Sequence, residues 1–241
     1  MNKNNLENKN CLITGATGGL GSNLAKILLE NNCNIFLTSK NKLKLQKLQI
    51  QLEKTNKNNC KIIYEYGDLT KISDIKKIIN KIRKEFKSID IIINNAGIFQ
   101  SKPISKSTLE EFQNIFEVNV KAPFIFSKEF SRDMKKNKWG RIINIGSSSC
   151  YNGFSEGVMY CASKHALLGL SRSLYAELKK DKIRTMCISP GSIKTNMGKQ
   201  DKKQNYKTFL DPKEVAEHIV YSVNFDKELV SEELRLSRFT I

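Results

Sequence analysis

Three residues of this chain could together deliver a proton: Ser147, Tyr160 thirteen positions on, and Lys164 four beyond that. A free phenol is a poor acid at neutral pH, with a reference pKa of about 10. A fixed positive charge beside it favours the phenolate and lowers that value. Residues four apart on a helix share a face, so Tyr160 and Lys164 can present phenol and ammonium to one site. The chemistry expected of such a pair is general acid catalysis at an oxygen that gains negative charge.

A second group of residues would bind rather than react. Thr14-Gly15-Ala16-Thr17-Gly18-Gly19-Leu20-Gly21 follows the apolar run Cys11-Leu12-Ile13 and precedes an amphipathic segment. A Gly-rich turn between a strand and a helix lets backbone approach a pyrophosphate at the helix N-terminus, where a Cβ would stand in the way. The spacing is Gly15-x-x-x-Gly19-x-Gly21 rather than G-x-G-x-x-G.

Elements to position these residues follow from the hydrophobic pattern. Strands are expected at Cys11–Thr14, Asn34–Thr38, Lys61–Tyr66, Asp90–Asn94, Gly140–Ile145 and Ile183–Ile188, with a last one around Leu234. Helices are expected at about Ser22–Asn31, Lys42–Lys54, Ile72–Phe86, Leu109–Lys136 with a break near Pro123, Val158–Lys179, and onward from Pro212. The run Asp90-Ile-Ile-Ile-Asn94 has the composition of a strand buried on both faces. This alternation predicts an α/β fold: a single-domain, Rossmann-type, doubly wound parallel sheet with helices on both faces. One domain is expected over residues 1–241, with a core at about 10–195, a lid at 196–211, and a C-terminal helix and strand at 212–241.

Bulk properties narrow the class. At 241 residues and 39% apolar content, the chain can bury a core. Its net charge of +17 comes from scattered lysines interleaved with asparagines, a look that coding bias produces, so nucleic acid is not the expected partner. Cys11, Cys33, Cys60, Cys150, Cys161 and Cys187 form no C-x-x-C pair, so no metal site is expected. His165 and His218 read as structural. Met1–Asn10 is polar and no run reaches a membrane span, so a cytoplasmic protein is expected.

Taken with Asn94-Asn95-Ala96-Gly97, Asn119 in Phe116-Glu-Val-Asn119-Val, and Pro190-Gly191-Ser192-Ile193-Lys194-Thr195, these motifs occur in the order of one family. From Leu12 to about Thr195 the chain resembles the short-chain dehydrogenase/reductases, with the pattern of 3-oxoacyl-[acyl-carrier-protein] reductases. The resemblance implies a catalytic set of Asn119, Ser147, Tyr160 and Lys164. Ser147 would hydrogen-bond the substrate carbonyl, Tyr160 would protonate it, Lys164 would lower the tyrosine pKa, and Asn119 would hold a water of a proton relay. Ser148 and Ser149 compete with Ser147, which the thirteen-residue spacing favours.

It implies cofactor contacts from Gly15, Thr17, Gly19, Leu20 and Gly21 in the turn, and from Asp68 and Leu69 after the third strand. Asn95, Ala96 and Gly97 after the fourth strand would follow, then Tyr160, Lys164, Pro190, Gly191, Ile193 and Thr195. At the end of the second strand, Thr38-Ser39-Lys40 carries no acid, and no Asp or Glu occurs between Asn31 and Gln51. An acid there would bind ribose hydroxyls and repel a 2′-phosphate. Ser39 and Lys40 can instead donate to one, so NADP(H) is the expected cofactor.

Beyond Thr195 the chain departs from the family's pattern. The segment from Asn196 to Asp211 is short and polar, and Glu233-Leu-Arg-Leu-Ser-Arg-Phe-Thr-Ile241 replaces a Val-Asp-Gly-Gly ending. The expected reaction is reduction of a carbonyl, with a 3-oxoacyl thioester as first substrate and a small hydroxy acid or sugar-linked ketone as alternative. A nucleotide-sensing protein on the same fold is the alternative without catalysis. Lys138, with Lys179, Lys180 and Lys182, falls where the resemblance implies docking of an acidic acyl carrier protein. A homodimer or homotetramer is the expected assembly.

Overall fold

The computed structural model describes residues 5–200 and 204–239. Seven strands form one parallel sheet in the order β3-β2-β1-β4-β5-β6-β7. They are β1 (Asn10–Thr14), β2 (Asn34–Ser39), β3 (Ile62–Tyr66), β4 (Ile91–Asn94), β5 (Gly140–Ile145), β6 (Ile183–Pro190) and β7 (Glu233–Leu236). The strand order reverses between β1 and β4, so a crevice opens at their C-terminal ends.

Helices cover both faces. On one lie α1 (Gly19–Glu30), α2 (Lys42–Glu53) and α7 (Pro212–Asn224), whose Leu24, Leu28, Leu45, Leu48, Ile219 and Val223 bury against Ile13, Ile35 and Ile93. On the other lie α3 (Ile72–Phe86), α5 (Ala122–Asn137) and α6 (Val158–Leu178), which place Ile78, Ile82, Phe126, Phe130 and Leu178 against Leu12, Phe36, Ile92 and Ile142. β4 feeds both layers, as its unbroken isoleucine run requires. The short α4 (Leu109–Phe116) starts with a capping box between Thr108 and Glu111.

Most boundaries fall within one or two residues of expectation, and two further differences adjoin the crevice. α1 begins at Gly19, inside the Gly-rich turn, rather than at Ser22. The break in the long fourth helix is a π turn at Glu117–Lys121 rather than at Pro123. Pro123 falls in the first turn of α5, where its missing N–H costs nothing. The terminal residues Thr240 and Ile241 and lid residues 201–203 lie outside the described residues. No helix among the described residues is long and apolar enough to cross a membrane.

β7 is parallel to β6, paired Ile188 with Leu234 and Pro190 with Leu236. Buried Arg141 on β5 locks the preceding loop, bonding the Val223 and Phe225 carbonyls and the Asp226 carboxylate.

Candidate active site

The Gly-rich turn is tight because its neighbours leave no room. Gly15 has φ +62°, and a Cβ there would lie 2.8 Å from the Ala96 Cα. At Gly21 a Cβ would meet the Gly15 carbonyl oxygen at 2.4 Å. Asn95 seals the turn, its Nδ2 donating to the Thr14 and Gly15 carbonyls at 2.9 and 3.1 Å. The Thr14 hydroxyl accepts in return from the backbone N–H groups of Asn95 and Ala96 at 3.0 and 2.9 Å. Gly18 at the head of α1 supplies no side-chain cap. The first N–H groups of a helix have no intrahelical partner and favour an anion. This cradle, which a Cβ would fill, fits a pyrophosphate.

At the far end of the same crevice, Thr17 and Ser39 share a hydrogen bond of 2.7 Å between their hydroxyls, beside exposed Lys40. Asp68 points partly elsewhere: its Oδ1 accepts from the Thr70 N–H and hydroxyl at 3.0 and 2.9 Å. The Thr70 backbone bond leads the influences that hold its carboxyl below the usual range.

The catalytic candidates gather at the ends of β4 and β5 and the start of α6. Ser147, just past β5, accepts from the Ser149 N–H at 3.1 Å and hydrogen-bonds the Tyr160 phenol. Of its competitors, Ser148 is exposed and Ser149 is buried. Tyr160 and Lys164, one turn apart on α6, are both buried. The Lys164 ammonium sits 5.7 Å from the Tyr160 ring centroid and donates to the Ile145 carbonyl at 2.8 Å.

Here the expected electrostatics need correction. Burial pushes the Tyr160 phenol up to about 12, an effect that the Ser147 hydrogen bond only partly offsets. Burial likewise lowers the Lys164 ammonium. In this arrangement the lysine ammonium donates to the Ile145 carbonyl, and whatever it does to favour the phenolate is not enough to bring the phenol below its ordinary value. The cost of desolvating a phenolate outweighs it.

Asn119 occupies the π turn, almost fully buried. Its Oδ1 accepts from the Ile98 N–H at 2.8 Å, and its Nδ2 donates to the Ile98 carbonyl at 3.0 Å and to the Ser163 hydroxyl at 2.9 Å. The Ser163 hydroxyl in turn donates to the Tyr160 carbonyl at 2.7 Å. The amide therefore ties the strand β4 exit to α6. π turns of this kind are frequent at functional sites.

The Pro190–Thr195 segment leaves β6 and crosses the mouth of the crevice. Ile193 bridges to Leu210, and the Thr195 hydroxyl accepts from the Gly198 N–H at 3.1 Å. The Thr195 methyl packs so close to Gly19 that a Cβ there would lie 2.8 Å away. The Met197 methyl, the Asn119 Oδ1 and the Lys164 ammonium all crowd Gly97, within 4.0 Å of where its Cβ would stand. The tail reaches this cover as well: Arg238 donates to the Thr208 hydroxyl at 2.6 Å and to the Gln204 Oε1 at 2.9 Å.

Together these elements enclose a cleft of about 910 Å³. Every residue expected to bind cofactor or react lines it, except Asn119, which is buried behind the wall. Sequence reasoning missed Phe99, Asn114, Asn152, Phe154 and Gln204, which also line it. Phe99 stacks on Phe154 at 6.3 Å and sets its edge on the Tyr160 ring at 4.9 Å. Usable signals existed for two of them: Phe99 lies two residues past Asn95-Ala96-Gly97, and Gln204 falls within the expected lid at 196–211. The lysines expected to dock an acyl carrier lie at the opposite edge of the sheet, where Lys138 and Lys182 precede β5 and β6. Lys138 is paired there with Asp181 at 2.8 Å.

Comparison with known proteins agrees with this architecture. The family model described as short chain dehydrogenase matches residues 9–206. A 3alpha-hydroxysteroid dehydrogenase of Mediterraneibacter gnavus is 35% identical over 192 residues, covering 80% of this chain and 76% of that relative. A 3-oxoacyl-[acyl-carrier-protein] reductase of Rickettsia conorii is 34% identical over 192 residues, with the same shares covered. The crystal structure of L-sorbose reductase from Gluconobacter frateurii, complexed with NADPH and L-sorbose, superposes with a TM-score of 0.86 at 22% identity. It covers 96% of this chain and 95% of that one. On the family match and these two relatives, the chain belongs to the short-chain dehydrogenase/reductase family of oxidoreductases.

Proposed function

We propose that this protein reduces a carbonyl to a secondary alcohol with NADPH, and that its substrate is a 3-oxoacyl thioester. The observation that carries the reaction is the meeting of Ser147, Tyr160 and Lys164 in one cleft with a turn into which only glycine fits. When bound, the dinucleotide supplies a hydride. Gly15, Gly19, Gly21 and the head of α1 would hold its pyrophosphate, while Pro190, Gly191, Ile193 and Thr195 would hold its nicotinamide end. Thr17, Ser39 and Lys40 would take a 2′-phosphate, a choice supported by the absence of any acid from Asn31 to Gln51 and by the NADPH in the L-sorbose reductase structure.

The chain's own residues handle the proton. Ser147 would donate a hydrogen bond to the carbonyl oxygen and orient it toward Tyr160. Tyr160 is held protonated by burial, so at neutral pH it always has a proton to give. Lys164 would steady the phenolate left behind. Asn119 fixes the wall that carries Ile98 and Ser163, and so the placement of Tyr160.

The thioester reading rests on the relative from Rickettsia conorii, and carrier docking is not part of the proposal, because the candidate lysines sit at the far edge. The test follows NADPH oxidation with an acetoacetyl thioester, with keto-sugars and with Tyr160→Phe as control. Turnover of the thioester that vanishes in Tyr160→Phe is expected. No turnover of any carbonyl, with NADPH still bound, would instead favour a nucleotide-sensing protein.

A further inference from the structure

Charge is scarce among the described residues that line the cleft of this very basic protein. Of all residues in the chain, 27% are charged, yet among the described residues that line the cleft only Lys40, Asp68 and Lys164 carry charge. Lys40 and Asp68 follow β2 and β3, at the end away from Tyr160. Lys164 is committed to the Ile145 carbonyl. Around Tyr160 the wall is made instead of Phe99, Phe154 and Met197, with the neutral donors Asn114, Asn152 and Ser155.

One cation flanking the cleft is neutralised. Lys102, beside cleft residue Ser101, gives its ammonium to both oxygens of Glu111 at 2.8 and 3.0 Å. Glu111 in turn receives Gln100 and caps α4. The stacked rings of Phe99 and Phe154 present an apolar wall at the same place.

A carboxylate laid against this wall would lose hydration on that side with no cation to pair it, which is unfavourable. From this wall we infer that the substrate is uncharged around its reacting carbonyl: a neutral ketone or thioester with an apolar segment laid on Phe154, and not a free oxo acid. This rests on the carbonyl-reductase reading and chooses between its substrate classes.

Matched pairs test it: acetoacetate against its N-acetylcysteamine thioester, and 3-oxohexanoate against its methyl ester, each with NADPH. The neutral member should have a kcat/KM at least about 100-fold higher. Asn152→Arg, which puts a cation into the wall, should narrow that ratio about tenfold, and Phe154→Ala should erase most of the gain from the longer chain. An acid reduced as well as its ester overturns the inference. If no pair is reduced, the reductase reading fails, and ligand-observed NMR binding of the same pairs judges this one separately. Preferential binding of the ester supports it, and equal or better binding of the acid, or binding of neither, overturns it.

Discussion

The two ends of the cleft are made of different material. The dinucleotide end is made of backbone: a turn closed by Gly15, Gly19 and Gly21, the head of α1, and Asn95 bonded to main-chain carbonyls. The carbonyl end is made of side chains drawn from four separate segments, at Phe99, Asn114, Phe154 and Gln204. A backbone site tolerates no added atom. A side-chain site can be rewritten one residue at a time. The contrast explains how one fold can keep its cofactor end constant while its substrate end varies.

The sharpest way to break this contrast is at the proton donor. Tyr160→Phe should lower the reduction rate by about 10² to 10⁴-fold, with the dissociation constant for NADPH, measured by fluorescence, hardly changed. An equal loss of binding would mean that the two ends are not separable. Next comes the backbone end. Gly21→Ala puts a Cβ 2.4 Å from the Gly15 carbonyl, and should weaken NADPH binding about 100-fold and lower the thermal midpoint. Retained affinity would sink the cradle.

A smaller effect is expected where the cradle gives way to side chains. Ser39→Asp should shift the ratio of NADPH to NADH affinity by about tenfold toward NADH, read from paired titrations. The smallest concerns the cover. Arg238→Ala should raise KM about threefold at nearly unchanged kcat, and the protease sensitivity of residues 204–209 should rise with it.

The phenol adds a pH signature. Its pKa is raised by burial from 10 in the unfolded chain to about 12 in the folded one. The stability it contributes is therefore complete below pH 10 and is lost as pH rises toward about 12. Denaturation midpoints of the wild type should fall more steeply over that window than those of Tyr160→Phe.

How much of this was legible depended on how each residue is held. Ser147, Tyr160 and Lys164 could be placed from spacing because a strand end and one helix fix them. The glycine turn was legible because its residue type is the constraint. Asn119 was legible by type but not by conformation, since nothing in Glu117–Lys121 announces a π turn. The net direction of the Tyr160 pKa was not legible, because spacing reveals proximity but not burial, and burial decides it. Phe99 and Phe154 meet across 55 residues of chain, and only packing brings them together.

The Arg238 contact has a consequence for how substrates are inherited between relatives. The family match ends at residue 206, while the guanidinium that braces Gln204 and Thr208 stands well past it. A substrate name carried over on the strength of that shared region is blind to the brace. Two proteins identical at every catalytic position can still diverge in substrate through a tail that lies beyond the family's shared region.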